Sequence, residues 1–184
     1  MKVINYVVNV YALSLILSAS AFSGSVAQSF QATHFFKTYC VGTLQATTER
    51  RHSEAQKAHL HQLDKKYENN ILKGESGSVW KLDDETGVYF LIFRSLSDCE
   101  VWAKELDEGS VYINFLDVLQ TLRLGGQVVE DLPIRHTLIE GRPVDFYDFK
   151  VHERDSKFGY LYRLLLSSRS NDKQAVLSVE KYSD

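Results

Sequence analysis

Proline and glycine are scarce in this sequence, with two and ten occurrences among 184 residues. Because neither is enriched and no repeat or low-complexity tract is present, the composition argues against a disordered chain. The sequence also lacks an excess of positive charge, since Lys and Arg number 21 and Asp and Glu number 24. Nucleic acid is therefore not expected as a partner, because its binding needs clustered Lys and Arg to neutralise phosphates.

Long apolar runs are absent except near the N-terminus, where residues 7–22 are mostly apolar and follow Lys2. Ser and Asn interrupt this run, which makes it short and diluted for a permanent membrane span, although an uncleaved anchor stays open. Ser25-Val26-Ala27 then places small residues at the −3 and −1 positions of a cleavage site before Gln28, and residues 19–21 offer an earlier one. These features predict a signal peptide cleaved near Ala27.

The predicted organisation is therefore a signal peptide over residues 1–27 and a single α+β domain over residues 28–184. A mature chain of about 157 residues is long enough for one domain with a substantial core. We expect it in the periplasm, or secreted to the medium, with no membrane insertion after leader cleavage.

Cysteine is the other scarce residue, with Cys40 and Cys99 lying 59 positions apart. That separation is unlike the C-x-x-C spacing of a redox pair. A cysteine nucleophile stays open, since any of six histidines could lie nearby in the fold, but the sequence names no partner. In an oxidising compartment we expect one disulfide, which would stabilise the fold by about 4 kcal/mol in the chain-entropy model.

Helical spacing dominates the first part of the mature chain. Residues 30–41 place large apolar side chains on one face and end before Gly42, which predicts a short helix. A polar helix is predicted from Thr48 to Asn69, with Thr47 or Thr48 as its cap and Asn69-Asn70 as its end. Most of that second helix is expected to face water.

The pattern then changes to that of strands. SVWKLDD and GVYFLIFR predict a hairpin with an acidic turn, and CEVWAKE predicts a third strand with Val101 and Ala103 on one face and Trp102 on the other. A helix follows from Ser110, its expected cap, to Gly125. Five more strands are predicted after it: GQVVED, RHTLIEG, VDFYDFKV, YLYRLLLSS and QAVLSVEKY.

The predicted class is thus α+β, with N-terminal helices followed by a mainly antiparallel sheet that has one inserted helix. Short connections between neighbouring strands favour antiparallel pairing. Strand order does not follow from this pattern.

Metal and catalytic motifs are weak. On one helix, His52 and His59 would lie about 10.5 Å apart along the axis, which is too far for one zinc ion. GESGS at residues 74–78 lacks the G-x-S-x-G spacing of a serine elbow. Asp145 and Asp148 differ by three positions and would point to opposite faces of a strand. We therefore assign no catalytic, cofactor-binding or metal residue and expect no cofactor.

Negative charge is concentrated between residues 74 and 117, which contain three basic and ten acidic side chains. Loss of Lys2 with the leader would leave 20 basic and 24 acidic residues, a net charge of −4. Asp83, Asp84 and Glu85 in the predicted hairpin turn are candidate partner-binding residues, because an acidic segment can steer a cationic partner. Solvated turns and strand faces are the simpler explanation of the same pattern.

A leader, Phe36 four residues before Cys40, Gly77, Trp80, Cys99 and the closing QAVLSVEKY strand resemble an uncharacterised family of short exported proteobacterial proteins. The resemblance covers most of the mature chain and implies an exported domain with paired cysteines. It implies no activity and no catalytic residue. The charged segment 48–69 departs from the family pattern.

Together these features predict a non-catalytic periplasmic protein that binds another protein, whose identity the sequence does not specify. A concrete form is an immunity or inhibitor protein against an envelope-acting toxin or hydrolase. The alternatives are an envelope hydrolase whose site assembles only in the fold, and an envelope-assembly accessory. A pocket that holds a His or Cys beside a carboxylate would favour the hydrolase, whereas exposed aromatic or apolar anchors would favour binding.

Overall fold

The computed structural model describes residues 26–95, 98–167 and 175–183. Four helices and one nine-stranded antiparallel sheet form this part of the chain. The predicted α+β class, with one helix inserted among the strands, is confirmed. None of the helices in the described ranges is long and apolar enough to cross a membrane.

The first helix, α1, comprises residues 26–35 and continues as a π-helical turn at Phe36–Val41. The other helices are α2 (Thr48–Lys57), α3 (Lys65–Leu72) and α4 (Glu108–Leu124). The strands are β1 (His61–Gln62), β2 (Ser78–Asp84), β3 (Gly87–Phe93), β4 (Cys99–Ala103), β5 (Val128–Asp131), β6 (Arg135–Ile139), β7 (Arg142–His152), β8 (Phe158–Ser167) and β9 (Ala175–Ser183).

The order of strands in the sheet is β1-β2-β3-β4-β9-β8-β7-β5, and β6 also pairs with β7. The last strand, β9, therefore lies inside the sheet between β4 and β8. At the end of the sheet opposite β1, the strands β5 and β6 follow one another along the same edge of β7. The hairpin predicted from SVWKLDD and GVYFLIFR is confirmed as β2 and β3, and all five later strand predictions are confirmed as β5 to β9.

The single helix predicted from Thr48 to Asn69 is wrong. Thr47 caps α2 as expected, but α2 ends at Lys57 and the backbone turns at His59, which has a φ of 58°. The two residues of β1 then pair with β2, and a second helix, α3, ends at Leu72 rather than at Asn69-Asn70. Sheet hydrogen bonds and burial of Leu60 therefore outweigh the local helix propensity of this segment.

Two other helix boundaries also differ from the prediction. The first helix includes residues 26–29 as well as 30–41, although Gly42 ends it as expected. A side chain at Gly42 would place its Cβ 2.6 Å from the carbonyl oxygen of Thr38, so glycine is required there. In α4 the cap is Asp107 rather than Ser110, because the Asp107 carboxylate accepts the backbone N–H of Ser110 at 2.7 Å.

The main core lies between one face of the sheet and helices α1 and α4. Phe36 of α1 packs against Phe115 of α4, with ring centroids 5.7 Å apart, and against Tyr162 of β8 at 6.1 Å. A smaller core on the other face places Leu72 of α3 beside Trp102 of β4. The predicted alternation along CEVWAKE is therefore confirmed, because its odd and even positions contact different cores.

The predicted disulfide is confirmed. Cys40, in the π-helical turn, is bonded to Cys99, the first residue of β4, with their Cα atoms 5.3 Å apart. Both cysteines are fully buried. The disulfide therefore links the C-terminal end of the first helix covalently to β4 within the main core.

Candidate binding groove

The helix α3 covers only part of the second face of the sheet, and a groove with a volume of about 640 Å³ occupies another part. Its walls are Lys73, which follows α3, and the turn between β6 and β7. Its floor is formed by the neighbouring strands β4, β9, β8 and β7. Because side chains alternate along each strand, the floor residues are those that point away from α1 and α4.

An apolar row crosses the floor of the groove. Trp102 pairs with Val176, Val176 with Leu165, and Leu165 with Phe146, so four adjacent strands each contribute one residue. Strands lie about 4.8 Å apart, which gives this row a length of about 14 Å. The row is therefore long enough to contact an extended apolar ligand.

A polar row flanks the apolar one, and its charges are compensated. Glu100 accepts hydrogen bonds from Arg94 Nε at 2.8 Å and from the indole N–H of Trp102 at 2.6 Å. Arg163 donates from Nε to the buried Asp148 carboxylate at 2.6 Å. Both charged side chains of this row are thus paired within the protein.

The other charged side chains of the groove have no partner among the described residues. Lys73, Glu140 and Arg142 line the groove, and none of them forms an ion pair or side-chain hydrogen bond with any described residue. Lys73 and Glu140 are exposed at the rim, whereas Arg142 is half-buried. A half-buried arginine is suited to bind a planar anion, because its guanidinium presents N–H donors in a fixed planar arrangement.

Ser167 adds an unsatisfied polar atom to the same end of the groove. Its Oγ is buried and has no hydrogen-bond partner among the described residues. Ser167 pairs with Val144, and Arg142 precedes Val144 by two positions on the same face of β7. Ser167 and Arg142 therefore occupy diagonally neighbouring positions on one face of the sheet.

The groove does not have the arrangement expected of a hydrolase. The described residues that line it include neither His nor Cys, and both cysteines are in the disulfide. A His–carboxylate pair exists elsewhere, with His136 Nδ1 2.7 Å from Asp145 Oδ1, but these side chains are 72% and 42% exposed on β6 and β7. Among the described residues, the groove therefore lacks the His or Cys beside a carboxylate that would have favoured the hydrolase.

The histidines and paired aspartates discounted from the sequence lie apart. His52 lies against Trp80 and contacts Ser78 Oγ at 3.0 Å, while His59 is in the turn after α2. Asp145 and Asp148 occupy opposite faces of β7 as predicted, since Asp145 contacts His136 and Asp148 contacts Arg163. Within the described ranges no group of three His, Cys, Asp or Glu residues could hold a metal ion.

The acidic turn lies apart from the groove. Asp83, Asp84 and Glu85 are at the tip of the β2–β3 hairpin, and neither Asp83 nor Glu85 is among the described residues that line the groove. The Asp83 carboxylate is 59% exposed and pairs with Lys81 Nζ at 2.6 Å. Glu85 is exposed.

Exposed aliphatic side chains also lie along the β6 edge of the sheet; we call Ile134, Leu138 and Ile139 the aliphatic patch, and Ile139 lines the groove as well. These side chains are 50%, 67% and 43% exposed. They lie on or directly before β6, which pairs only with β7 among the described strands. The sequence indicated a strand here, but it contained no signal that this strand would lie at an edge.

The groove residues Trp102, Arg142 and Ser167 were not among the functional candidates predicted from the sequence. One local signal was present in the sequence: Arg142 lies in a Gly-Arg-Pro turn beside a predicted strand, where a long positively charged side chain can reach a ligand.

No protein-family model, curated protein or solved structure matches the chain at a significant level. The resemblance to short exported proteins therefore stays a prediction.

Proposed function

We propose that this protein is exported and acts without chemistry, by binding another protein. In its concrete form it is an immunity or inhibitor protein against a toxin or hydrolase that acts on the cell envelope. The observation that carries the proposal is the aliphatic patch at the edge of the sheet.

Edge strands that expose large apolar side chains invite pairing with another chain, and soluble proteins usually protect them with charge, proline or a covering element. Leu138 and Ile139 point to opposite faces of β6, so a partner strand could contact both while it pairs with the β6 backbone. We infer that the partner covers this patch.

The acidic turn supplies the second part of the proposal. Asp83, Asp84 and Glu85 lie at a hairpin tip, and the exposed Asp83 and Glu85 present their charge to an approaching molecule. We propose that they steer a partner with a cationic surface, since complementary charge raises association rates more than it raises affinity.

Export through a signal peptide cleaved before Gln28 is supported by the packing of α1. Val26 and Ala27 are exposed, whereas Ser29 is fully buried and its Oγ donates to the carbonyl oxygen of Asp107 at 3.0 Å. Cleavage before Gln28 would leave this contact intact. The disulfide is compatible with an oxidising compartment. Intact-mass measurement of the exported protein tests the proposal, because it should begin at Gln28.

The binding proposal is tested by capture from an envelope extract with the tagged mature chain, its disulfide intact. Leu138→Glu should abolish capture of a stoichiometric partner, because it places a charge in the patch. Ile113→Glu is the matched control, since Ile113 is 60% exposed on α4, a different element. Equal capture by both variants would contradict the role of the patch, and the absence of any partner would contradict protein binding.

The same experiment separates the inhibitor from the envelope-assembly accessory. An accessory has a constitutive partner, so the partner should be present in extracts of every growth condition. An immunity or inhibitor protein should instead abolish the lytic or hydrolytic activity of its captured partner in an assay of that activity.

A further inference from the structure

We propose that the groove binds a small amphipathic carboxylate, with the carboxylate at Arg142 and Ser167 and the apolar chain along the row that ends at Trp102. This inference goes beyond the proposed function, because it concerns the groove, which shares Ile139 but neither Ile134 nor Leu138 with the aliphatic patch, and because it requires no protein partner.

The dimensions and the floor of the groove favour a ligand with an apolar body. Its volume of about 640 Å³ is within the range of about 300–1,000 Å³ typical of small-molecule sites. The indole N–H of Trp102 donates to Glu100 at 2.6 Å, and the Trp102 side chain closes the apolar row at the β4 end of the floor. A ten-carbon chain is comparable in length to the apolar row.

The charges favour one negative charge at one end of that chain. Glu100 and Arg163 are paired within the protein, which leaves Arg142 as the half-buried cation without a partner among the described residues. At the rim, the positive charge of Lys73 and the negative charge of Glu140 add to zero, although the two side chains do not pair. A monocarboxylate would neutralise the remaining charge, whereas a doubly charged phosphate would exceed it. Arginine binds carboxylates through two parallel hydrogen bonds.

Ser167 is the independent observation that points to a ligand. A buried hydroxyl without a hydrogen bond is unfavourable, and native proteins leave few of them. The position of Ser167, diagonal to Arg142 across β7 and β8, allows one carboxylate to contact both residues. The carboxylate would therefore satisfy the hydroxyl and the guanidinium together.

Isothermal titration calorimetry with decanoate, below its critical micelle concentration, tests the inference. The parent protein should bind one decanoate and should bind decylamine, which has the same chain with a cationic head, at least tenfold more weakly. Arg142→Gln should weaken decanoate binding by about tenfold or more, because it removes a charge-assisted hydrogen bond. Equal binding of decanoate and decylamine, or an unchanged affinity in Arg142→Gln, would overturn the proposal.

Two further variants separate a direct contact from a loss of folding. Glu140→Gln removes a negative charge from the rim and should tighten decanoate binding, a gain that a damaged fold would not produce. Leu138→Glu changes the aliphatic patch and should leave decanoate binding unchanged. Failure of the decanoate proposal and failure of the partner-capture proposal are therefore distinguishable.

A short apolar peptide with a free C-terminus is the competing ligand. If it binds more tightly than decanoate, the small-acid assignment is overturned in favour of a protein C-terminus.

Discussion

Glu68 Oε1 accepts a hydrogen bond from the backbone N–H of Val79 at 3.2 Å, and this contact joins α3 to β2. The same oxygen accepts from Gln62 Nε2 at 3.0 Å, and Oε2 pairs with Lys65 at 3.0 Å. The Glu68 side chain is 1% exposed. A buried carboxylate thus holds in place the helix beside which the groove begins.

Replacement of Glu68 by alanine should lower the free energy of unfolding by about 2–3 kcal/mol, because the buried N–H of Val79 would lose its acceptor. Urea denaturation measures the change. Glu54→Ala is the matched control, since Glu54 forms an exposed ion pair with Lys57 that is worth less than about 1 kcal/mol. Similar losses in both variants would contradict a special role for the α3–β2 contact.

The stability of the protein should depend on the ionisation of Glu68. Burial by itself would raise the pKa of this carboxyl, but hydrogen bonds from Gln62, Lys65 and Val79 outweigh burial and lower the pKa below its ordinary value of 4.5. The stabilising contribution is therefore fully present above pH 4.5 and is lost as the pH falls through the lowered pKa. Denaturation of Glu68→Gln should show a shallower loss of stability below pH 4.5 than the parent, and parallel curves would refute this.

Arg51 is a buried cation that joins two loops. Its guanidinium donates to the carbonyl oxygens of Thr43, Leu44 and Ser95 and lies 5.3 Å from the ring centroid of Phe93. Arg51→Met should lower the free energy of unfolding by about 3 kcal/mol or more, because three carbonyl groups lose their donor. The exposed Arg123 offers a control, since Arg123→Met removes a surface ion pair with Asp131 and a long exposed hydrogen bond to the Val129 carbonyl oxygen at 3.5 Å. Thermal denaturation should show a much smaller effect for the control.

Removal of the disulfide in a Cys40→Ala, Cys99→Ala variant should lower stability by about 4 kcal/mol, because a loop of about 60 residues is no longer closed in the unfolded chain. Since both cysteines are fully buried, reductant should cleave the bond only under conditions that open the fold. Thiol labelling in reductant, with and without denaturant, measures this. Rapid reduction of the native protein would contradict the prediction.

Charge reversal in the acidic turn should slow association with the captured partner. Asp83→Lys, Asp84→Lys and Glu85→Lys together should lower the association rate constant, most strongly at low salt, while the dissociation rate changes little. Stopped-flow or surface-plasmon measurements at two salt concentrations test this. An unchanged association rate would remove the turn from the proposed mechanism and would leave the aliphatic patch as a separate hypothesis.

The sequence by itself determined the local elements that depend on neighbouring residues. Strand-like runs between turn residues predicted β2 to β9, Gly42 and Gly125 marked helix ends, and two cysteines allowed one intramolecular disulfide. Periodicity and turn chemistry depend on residues that are close in the sequence. Two cysteines leave only one possible intramolecular pairing, so the disulfide needed no knowledge of the fold.

Only the tertiary structure decided which distant segments meet. It divided residues 48–69 into two helices, because β1 gains sheet hydrogen bonds there, and it inserted β9 between β4 and β8. The groove joins Lys73, Trp102, Arg142 and Ser167, which are scattered over nearly a hundred positions. Their proximity depends on strand order, and strand order depends on the packing of whole sheet faces, which no local pattern in one sequence contains.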